Sequence, residues 1–186
     1  MRLIKASDYR RMPWKNGGGE TAEIAVHPAG ASMDDFGWRV SMATVASDGP
    51  FSLFPSIDRT LTVLEGAGIR LDVQGLPTAS LDPASEPFSF AADAAASACL
   101  VQGPMIDLNV MTRRGHFAHT VRRTASPSPN EGAAFTLVFA LSPCSVESLS
   151  EPVERFDAIL CEPGDLPWGT AIGEGCSFLQ VDITSV

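Results

Sequence analysis

Glycine and proline are spread along the whole length of this chain, and they constrain its fold more than any other feature. The 186 residues include 16 Gly and 14 Pro, which divide the chain into segments mostly shorter than the ~11 residues of an average helix. Apolar and polar residues alternate, as in a half-buried strand, over 21–26, 39–44, 60–65, 69–73 and 107–112. Apolar runs of strand length follow at 135–141 and 177–183. We therefore predict an all-β fold, built as an antiparallel sandwich or barrel.

Two local segments refine this prediction. Glu65-Gly66-Ala67-Gly68 lies between two alternating runs, and its glycines can adopt the positive φ angles of a tight turn, which predicts a hairpin. The alanine-rich segment 91–98 is either one short helix or a loop leading into a strand at 99–101. Both alternatives stay open, because helix propensity is a weak guide by itself.

Charge and composition exclude several classes of function. With 13 Lys and Arg against 22 Asp and Glu, the formal net charge is −9, which disfavours a nucleic-acid partner because phosphates would be repelled. No apolar run approaches the ~20 residues that span a bilayer, and the N-terminus lacks the apolar region of a secretion signal. We therefore expect a cytoplasmic protein with no membrane partner. The four cysteines form no C-x-x-C pair and are expected to be buried structural residues: Cys99, Cys144, Cys161 and Cys176.

The histidines do not form a metal-binding pattern. His27 is far from the other two, and His116 and His119 would point to opposite faces of a strand. We expect no metal and no other cofactor. The Gly17-Gly18-Gly19 segment is either a flexible turn or a close approach of the backbone to a ligand, with Lys15 and Asn16 nearby.

Polar side chains fall on one face of each of three predicted strands: Thr21 and Glu23, Arg39 and Ser41, and Asp107 and Asn109. Strict alternation places Ala22, Ile24 and Val26 together on the other face of the first strand. A solvent-facing sheet surface would explain this pattern. A pocket explains it better, because the residues are mainly Arg, Asp, Asn, Ser and Thr, whereas a solvated face usually carries Lys and Glu.

Five blocks of the sequence resemble the HutD/Ves family. They are Pro13–Thr21, Phe36–Ala43, Asp48–Arg59, Leu64–Gly68 and Gly103–Arg114, in that order along the chain. The resemblance implies a bicupin, in which two cupin-like antiparallel β-barrels are fused in one compact domain over 1–186. The first barrel would occupy mainly 1–103 and the second mainly 104–186. It also favours the loop over the helix at 91–98.

The family resemblance also implies a function linked to histidine utilisation and its regulation. The ligand would be a small carboxylate-bearing metabolite, and the motif residues carried over as its contacts are Lys15, Asn16, Thr21, Glu23, Arg39, Ser41, Arg59, Asp107, Asn109 and Arg113. Metal-dependent cupin oxygenases carry His-x-His and Glu, and the corresponding segment Phe54–Arg59 contains no His. This argues against a metal dioxygenase.

Three functions remain open from the sequence. The first is a non-catalytic protein that binds the carboxylate through Arg39 or Arg59. The alternative is a metal-independent cupin enzyme, an isomerase or hydrolase, with Glu23 or Asp107 as general base. The third is an interaction protein that docks another chain through a sheet edge. A homodimer is compatible with a barrel fold of this size, but no residue pattern requires it.

Overall fold

The computed structural model describes residues 1–128, 130, 132–162, 165, 171–172 and 175–186. The chain divides into two compact units. We call Arg10–His116 the central unit, and Met1–Tyr9 together with Phe117–Val186 the terminal unit. The described residues contain strands and one short 3-10 helix but no α-helix, so the all-β prediction is confirmed. None of the helices in these ranges is long and apolar enough to cross a membrane.

The central unit consists of two antiparallel sheets. Its strands are β2 (Arg10–Pro13), β3 (Gly19–His27), β4 (Trp38–Val45), β5 (Gly49–Pro50), β6 (Ile57–Glu65), β7 (Ile69–Val73), β8 (Ala79–Leu81), β9 (Phe88–Ala91), β10 (Ala96–Leu100) and β11 (Met105–Arg113). A six-stranded sheet has the order β2-β3-β4-β11-β6-β9, and a four-stranded sheet has the order β5-β10-β7-β8. Apolar side chains from both sheets form one core, including Leu61 and Val63 of the first and Ile69 and Leu71 of the second.

The terminal unit combines the two ends of the chain. It contains β1 (Arg2–Ile4), a 3-10 helix (Ala6–Asp8), β12 (Phe117–Thr124), β13 (Phe135–Ala140), β14 (Ser145–Val146), β15 (Ala158–Cys161), β16 (Ala171–Ile172) and β17 (Phe178–Ser185). Its five-stranded sheet has the order β1-β15-β13-β17-β12. β1 pairs with β15, and the Tyr9 hydroxyl donates a 2.6 Å hydrogen bond to the Phe156 carbonyl. The first residues of the chain are therefore part of the C-terminal sheet.

Each alternating or apolar segment of the sequence overlaps a strand, although burial itself alternates only on some of them, since β4, β6 and β11 are buried at almost every position. Alternating burial is clearest on β7, where buried and exposed residues alternate from Ile69 to Val73.

The boundaries between the two compact units lie between residues 9 and 10 and between residues 116 and 117, whereas the family resemblance implied a boundary near residue 103. The reason is that β11 pairs with β4 and β6 of the central unit. The division into two barrels at 103 stays a prediction.

The expected hairpin at Glu65–Gly68 is wrong. Gly66 and Gly68 have φ angles of 94° and 96°, as predicted for a tight turn. However, β6 pairs with β11 and β9, while β7 pairs with β10 and β8, so the turn passes from one sheet to the other. A Cβ at Gly68 would lie 2.1 Å from the Leu81 carbonyl oxygen, which shows how closely this turn approaches the strand pairing with β7.

The helix alternative for 91–98 is also wrong. β9 ends at Ala91, a turn follows, and β10 begins at Ala96. Ala96 and Ala98 are buried and Ser97 is exposed, in the pattern of a strand. Pairing of β10 with β7 over five residues outweighs the intrinsic helix propensity of alanine.

Candidate functional site

Polar side chains of three neighbouring strands lie on one face of the six-stranded sheet. β11 lies between β4 and β6, so that Ser41 is opposite Asn109 and Met111 is opposite both Arg39 and Arg59. Opposed residues of an antiparallel pair share a face, and so do residues two apart on one strand. These polar residues are buried, with Arg39 4% and Arg59 7% exposed. The face is therefore not a solvated sheet surface.

Arg39 is held by two polar neighbours on this face. Its Nε donates a 2.8 Å hydrogen bond to Oε2 of Glu23, which forms an ion pair. Its Nη1 donates a 3.2 Å hydrogen bond to the hydroxyl of Ser41. The side chains of Arg39 and Glu23 are 5% and 13% exposed, so the pair is largely shielded from water and its geometry is fixed.

Arg59 begins a second chain of hydrogen bonds. Its Nε donates to Oδ1 of Asn109 at 2.8 Å, and its Nη2 donates to the same oxygen. Nδ2 of Asn109 donates to Oδ1 of Asp107 at 2.5 Å. The guanidinium also lies over the ring of Phe51, with 4.3 Å between Cζ and the ring centroid, and 5.7 Å from the centroid of Phe90. Arg59 is thus oriented by an amide and two aromatic rings.

Burial shifts the pKa values of Asp107 and Arg59, the two ionisable groups of this second series of hydrogen bonds. Loss of hydration raises the pKa of Asp107 to about 6, although Arg59, Asn109 and the backbone of Ala43 oppose the rise. Burial lowers the pKa of Arg59 to about 10, opposed by Asp107 and assisted by the like charge of Arg39. Oδ2 of Asp107 has no hydrogen-bond partner in the described part of the chain. Asp107 is thus a weaker acid than an ordinary Asp, and its carboxyl group is linked to Arg59 through Asn109.

A cavity of about 660 Å³ opens onto this face within the central unit. Its lining residues are Met12, Pro13, Trp14, Lys15, Asn16, Thr21, Met33, Arg39, Ser41, Pro50, Phe51, Ser52, Phe54, Arg59, Asn109 and Met111. The volume lies within the ~300–1,000 Å³ of small-molecule pockets. Polar groups converge on part of an otherwise mainly apolar wall, which is the usual composition of such sites.

Seven of the residues expected to contact a ligand line this cavity: Lys15, Asn16, Thr21, Arg39, Ser41, Arg59 and Asn109. Lys15 is exposed. Two others already have protein partners, because the amide oxygen of Asn16 accepts a bond from the Gly18 N–H and the Thr21 hydroxyl accepts one from the Trp14 indole.

The structure places the other three expected residues away from the cavity wall, as the described residues define it. Glu23 contacts Arg39, and Asp107 contacts Asn109. Arg113 donates instead to two backbone carbonyls, that of Phe36 from Nε at 2.9 Å and that of Asp34 from Nη2 at 2.7 Å. Arg113 therefore holds the segment before β4.

The sequence reasoning missed the apolar part of the wall. Phe51 and Phe54 lie between β5 and β6, and Met12 and Trp14 lie on and after β2. The sequence does contain one signal for the first pair, since Pro50 and Pro55 enclose a short segment with two aromatic residues. Whether such a segment lines a cavity depends on tertiary packing. The alternation of residues along single strands carries no information about that packing.

Two β-bulges border the polar face. The register of β3 against β4 shifts between Glu23 and Ala25, and that of β11 against β6 shifts beside Asp107. The first bulge places Val26 opposite Arg39, which corrects the expectation that Val26 shares a face with Ala22 and Ile24. Bulges re-aim side chains and are common beside functional sites. Here they adjoin Glu23 and Asp107, the first partly and the second fully buried.

Within the Gly17–Gly19 segment, Gly18 and Gly19 pack against protein atoms, whereas Gly17 faces open space. A Cβ at Gly19 would lie 2.3 Å from the Thr44 carbonyl oxygen and 3.0 Å from the ring of Trp14, and one at Gly18 would lie 2.6 Å from the Ser47 hydroxyl. Small residues here let Trp14 take its place in the cavity wall. Among the described residues, no group of three or more His, Cys, Asp or Glu could hold a metal ion.

One terminal nitrogen of each buried arginine remains available. Within the described ranges, neither Nη2 of Arg39 nor Nη1 of Arg59 has a hydrogen-bond partner. Both side chains line the cavity. A carboxylate can accept from two such N–H groups at once, so the arrangement is suited to an anionic ligand.

The chain is similar to HutD and Ves proteins. The HutD family model matches residues 6–175. An uncharacterized 21.2 kDa protein in the hutC 3′ region of Pseudomonas putida is 43% identical over 111 residues, which are 60% of this chain and 57% of that protein. Protein Ves of Citrobacter koseri is 40% identical over 139 residues, covering 73% of this chain and 71% of that protein.

Solved structures extend the similarity over the whole chain. HutD from Pseudomonas fluorescens SBW25, in a formate condition, is 32% identical with a TM-score of 0.84, covering 100% of this chain and 98% of that one. A cupin 2 conserved barrel domain protein from Leptotrichia buccalis is 11% identical with a TM-score of 0.57, over 89% and 88% of the two chains. The second likeness concerns the fold alone, and it fits the cupin-type architecture that the family resemblance implied.

Proposed function

The chain belongs to the HutD family, which is linked to the histidine-utilisation region, and on this basis we propose that it binds a small carboxylate metabolite without transforming it. In this role it would take part in histidine utilisation and its regulation. The cavity of the central unit is the proposed binding site, and Arg39 and Arg59 are the proposed carboxylate contacts.

The observation that carries this proposal is the pair of buried guanidinium groups with one available nitrogen each. Two like charges in a low-dielectric site repel each other. Burial is the main cause of the lowered pKa of Arg59, the charge of Asp107 opposes it, and the like charge of Arg39 adds to it. A bound anion would relieve this repulsion and would complete the hydrogen bonding of both side chains.

The rest of the wall suits the uncharged part of such a metabolite. Trp14, Phe51 and Phe54 supply aromatic surface, and Met12 and Met111 supply flexible apolar surface. Lys15 is the remaining cation of the wall, and it is exposed. We propose that it contacts a second polar group of the ligand at the cavity opening.

The geometry supports binding better than catalysis. A general base must reach the proton that it removes, yet the carboxylate of Glu23 is engaged with Arg39 and that of Asp107 lies behind Asn109. The raised pKa of Asp107 is the one observation that favours an enzyme. Incubation with histidine-pathway intermediates, followed by NMR, tests this alternative. Steady conversion that is lost in Glu23→Gln or Asp107→Asn would replace the binding function with a catalytic one.

Calorimetric titration with urocanate and with N-formylglutamate tests the proposal. We expect Arg39→Gln and Arg59→Gln each to weaken binding by about 10–100-fold, since each removes a charge-assisted hydrogen bond. Arg70→Gln is the matched control, because Arg70 is exposed on β7 and lies outside the cavity wall. If both pocket variants bind as tightly as the parent protein, the cavity is not the carboxylate site.

A further inference from the structure

We infer that Asp107 is a positioning residue, which orients Asn109 and, through it, the guanidinium of Arg59 that would face the anion. This inference rests on the proposed function, because it assumes an anion at the two arginines. It differs from both roles expected from the sequence, since Asp107 would neither contact the ligand nor remove a proton from it.

The first step concerns the amide of Asn109. An amide can present its oxygen or its NH₂ group in either of two orientations, and its neighbours decide which. Asp107 accepts from Nδ2, while Arg59, which can only donate, takes Oδ1 with both Nε and Nη2. An acceptor on one side and a donor on the other fix a single orientation of Asn109.

The second step concerns the donor nitrogen of Arg59 that this orientation of Asn109 leaves free. With Nε and Nη2 on the amide oxygen and the guanidinium plane over Phe51, Nη1 is the remaining donor group of Arg59. Loss of the Asp107 acceptor would leave Nδ2 of Asn109 buried and unpaired, which favours other amide orientations. Arg59 would then lose the rigid partner that sets its direction.

The third step concerns charge. The charged side chains on the same face of the sheet include Arg39 on β4, Arg59 on β6, Glu23 on β3 and the exposed Arg10 on β2. Oδ1 of Asp107 already accepts from Asn109, and the buried Oδ2 has no partner in the described ranges. A proton would therefore occupy Oδ2 without disturbing the bond to Asn109.

Anion binding should accordingly be linked to proton uptake at Asp107. A negative charge at the arginines disfavours a second one on the carboxyl group, whose pKa is already raised to about 6. By reciprocal linkage, the anion binds more tightly when Asp107 is protonated. The affinity of the parent protein should fall as the pH rises from 6 to 8.

Titration with N-formyl-L-glutamate at pH 6 and pH 8 tests the inference, since both carboxylates of this probe stay ionised over that range. We expect the parent protein to bind about fivefold more weakly at pH 8. Asp107→Asn keeps a carbonyl acceptor for Asn109 and carries no charge. It should bind at both pH values about as the parent does at pH 6. Asp107→Leu fills similar space without an acceptor, and it should bind about tenfold more weakly at both pH values.

The pattern of results separates the inference from the proposed function. Equal binding by the Asn and Leu variants, or an unchanged pH dependence in Asp107→Asn, would overturn the positioning role while leaving the cavity as the binding site. Absence of any binding by the parent protein would overturn the proposed function for this probe.

A ligand-free readout keeps the inference testable in that case as well. The side-chain NH₂ resonances of Asn109 should shift with pH near 6 in the parent protein and stay constant in Asp107→Asn. Resonances that do not respond to pH in the parent protein would contradict the link between Asp107 and Asn109.

Discussion

Each of the two units contains a buried polar cluster on its larger sheet, and the two clusters differ in what completes their hydrogen bonds. In the terminal unit, Gln180 and Asp182 are 0% and 4% exposed. Oε1 of Gln180 accepts from Arg122 at 2.8 Å and from the Ser128 N–H at 3.0 Å, and Nε2 donates to the Ser128 carbonyl at 2.7 Å. Nε2 also donates to Asp182 at 2.9 Å, and Thr136 donates to the same carboxylate.

Every hydrogen-bonding position of the Gln180 amide is thus taken by the chain itself. In the central unit, by contrast, Arg39 and Arg59 each retain a nitrogen without a partner among the described residues, and a cavity lies beside them. Buried polar groups that the chain satisfies stabilise a fold. Arginine side chains that line a cavity and keep a donor nitrogen without a protein partner are suited to an external acceptor.

The largest expected effect is on the free energy of unfolding, and it tests whether the hydrogen bonds of the terminal cluster stabilise the fold. Gln180→Leu should lower the free energy of unfolding by about 3–4 kcal/mol, because the buried carboxylate of Asp182 keeps only its bond from Thr136 and the backbone N–H and carbonyl of Ser128 lose their bonds to the amide. Urea unfolding measures this loss. Thr136→Val, which removes one hydrogen bond from Asp182, should cost about 1 kcal/mol. Carboxylate affinity should not change in either variant. A loss of affinity in Gln180→Leu would mean that the terminal cluster also belongs to the binding site.

The next effect concerns Asp107 and the pH dependence of stability. Its pKa is raised from 3.8 to about 6 in the folded protein, so the folded state holds the proton more tightly than the unfolded state. The stability that protonation provides is fully present below pH ~4 and is lost as the pH rises through about 6. Asp107→Asn stays uncharged, and it should be more stable than the parent by about 2–3 kcal/mol at pH 8.

Urea unfolding at pH 4, 6 and 8 checks this prediction, and the two proteins should converge at pH 4. Glu86→Gln provides the matched control, because Glu86 is exposed on the connection between β8 and β9. Its difference from the parent should stay small at each pH. A constant difference between Asp107→Asn and the parent from pH 4 to pH 8 would contradict a carboxyl group buried at the base of the site.

Alternation along single strands predicted a large part of the polar face. It grouped Arg39 with Ser41 and Asp107 with Asn109, because side chains of a strand alternate strictly wherever the register is regular. It failed at Val26, since the bulge after Glu23 shifts the register by one residue. The family resemblance, rather than alternation, brought Arg59 into the expected set.

The remaining features depend on contacts that are distant in sequence. The turn at Gly66 and Gly68 was recognisable from its glycines, but no local pattern shows that β6 and β7 belong to different sheets. Similarly, Arg113 matches the family motif, and yet its guanidinium binds the carbonyls of Asp34 and Phe36. Which polar residues face a cavity and which support the chain is decided by tertiary packing.

The smallest expected effect concerns a cation–π contact between an arginine and a phenylalanine, which occurs once within each unit. Cζ of Arg59 lies 4.3 Å from the centroid of Phe51 in the central unit, and Cζ of Arg155 lies 4.3 Å from that of Phe156 in the terminal unit. Such contacts contribute about 0.5–1 kcal/mol. Because only the first positions a proposed ligand contact, Phe51→Leu should weaken carboxylate binding about threefold, whereas Phe156→Leu should leave it unchanged. Calorimetric titration of both variants measures the difference. Equal affinities of the two variants would show that the ring of Phe51 packs against Arg59 without orienting it. The direction of the available Arg59 nitrogen would then be set by Asn109 alone.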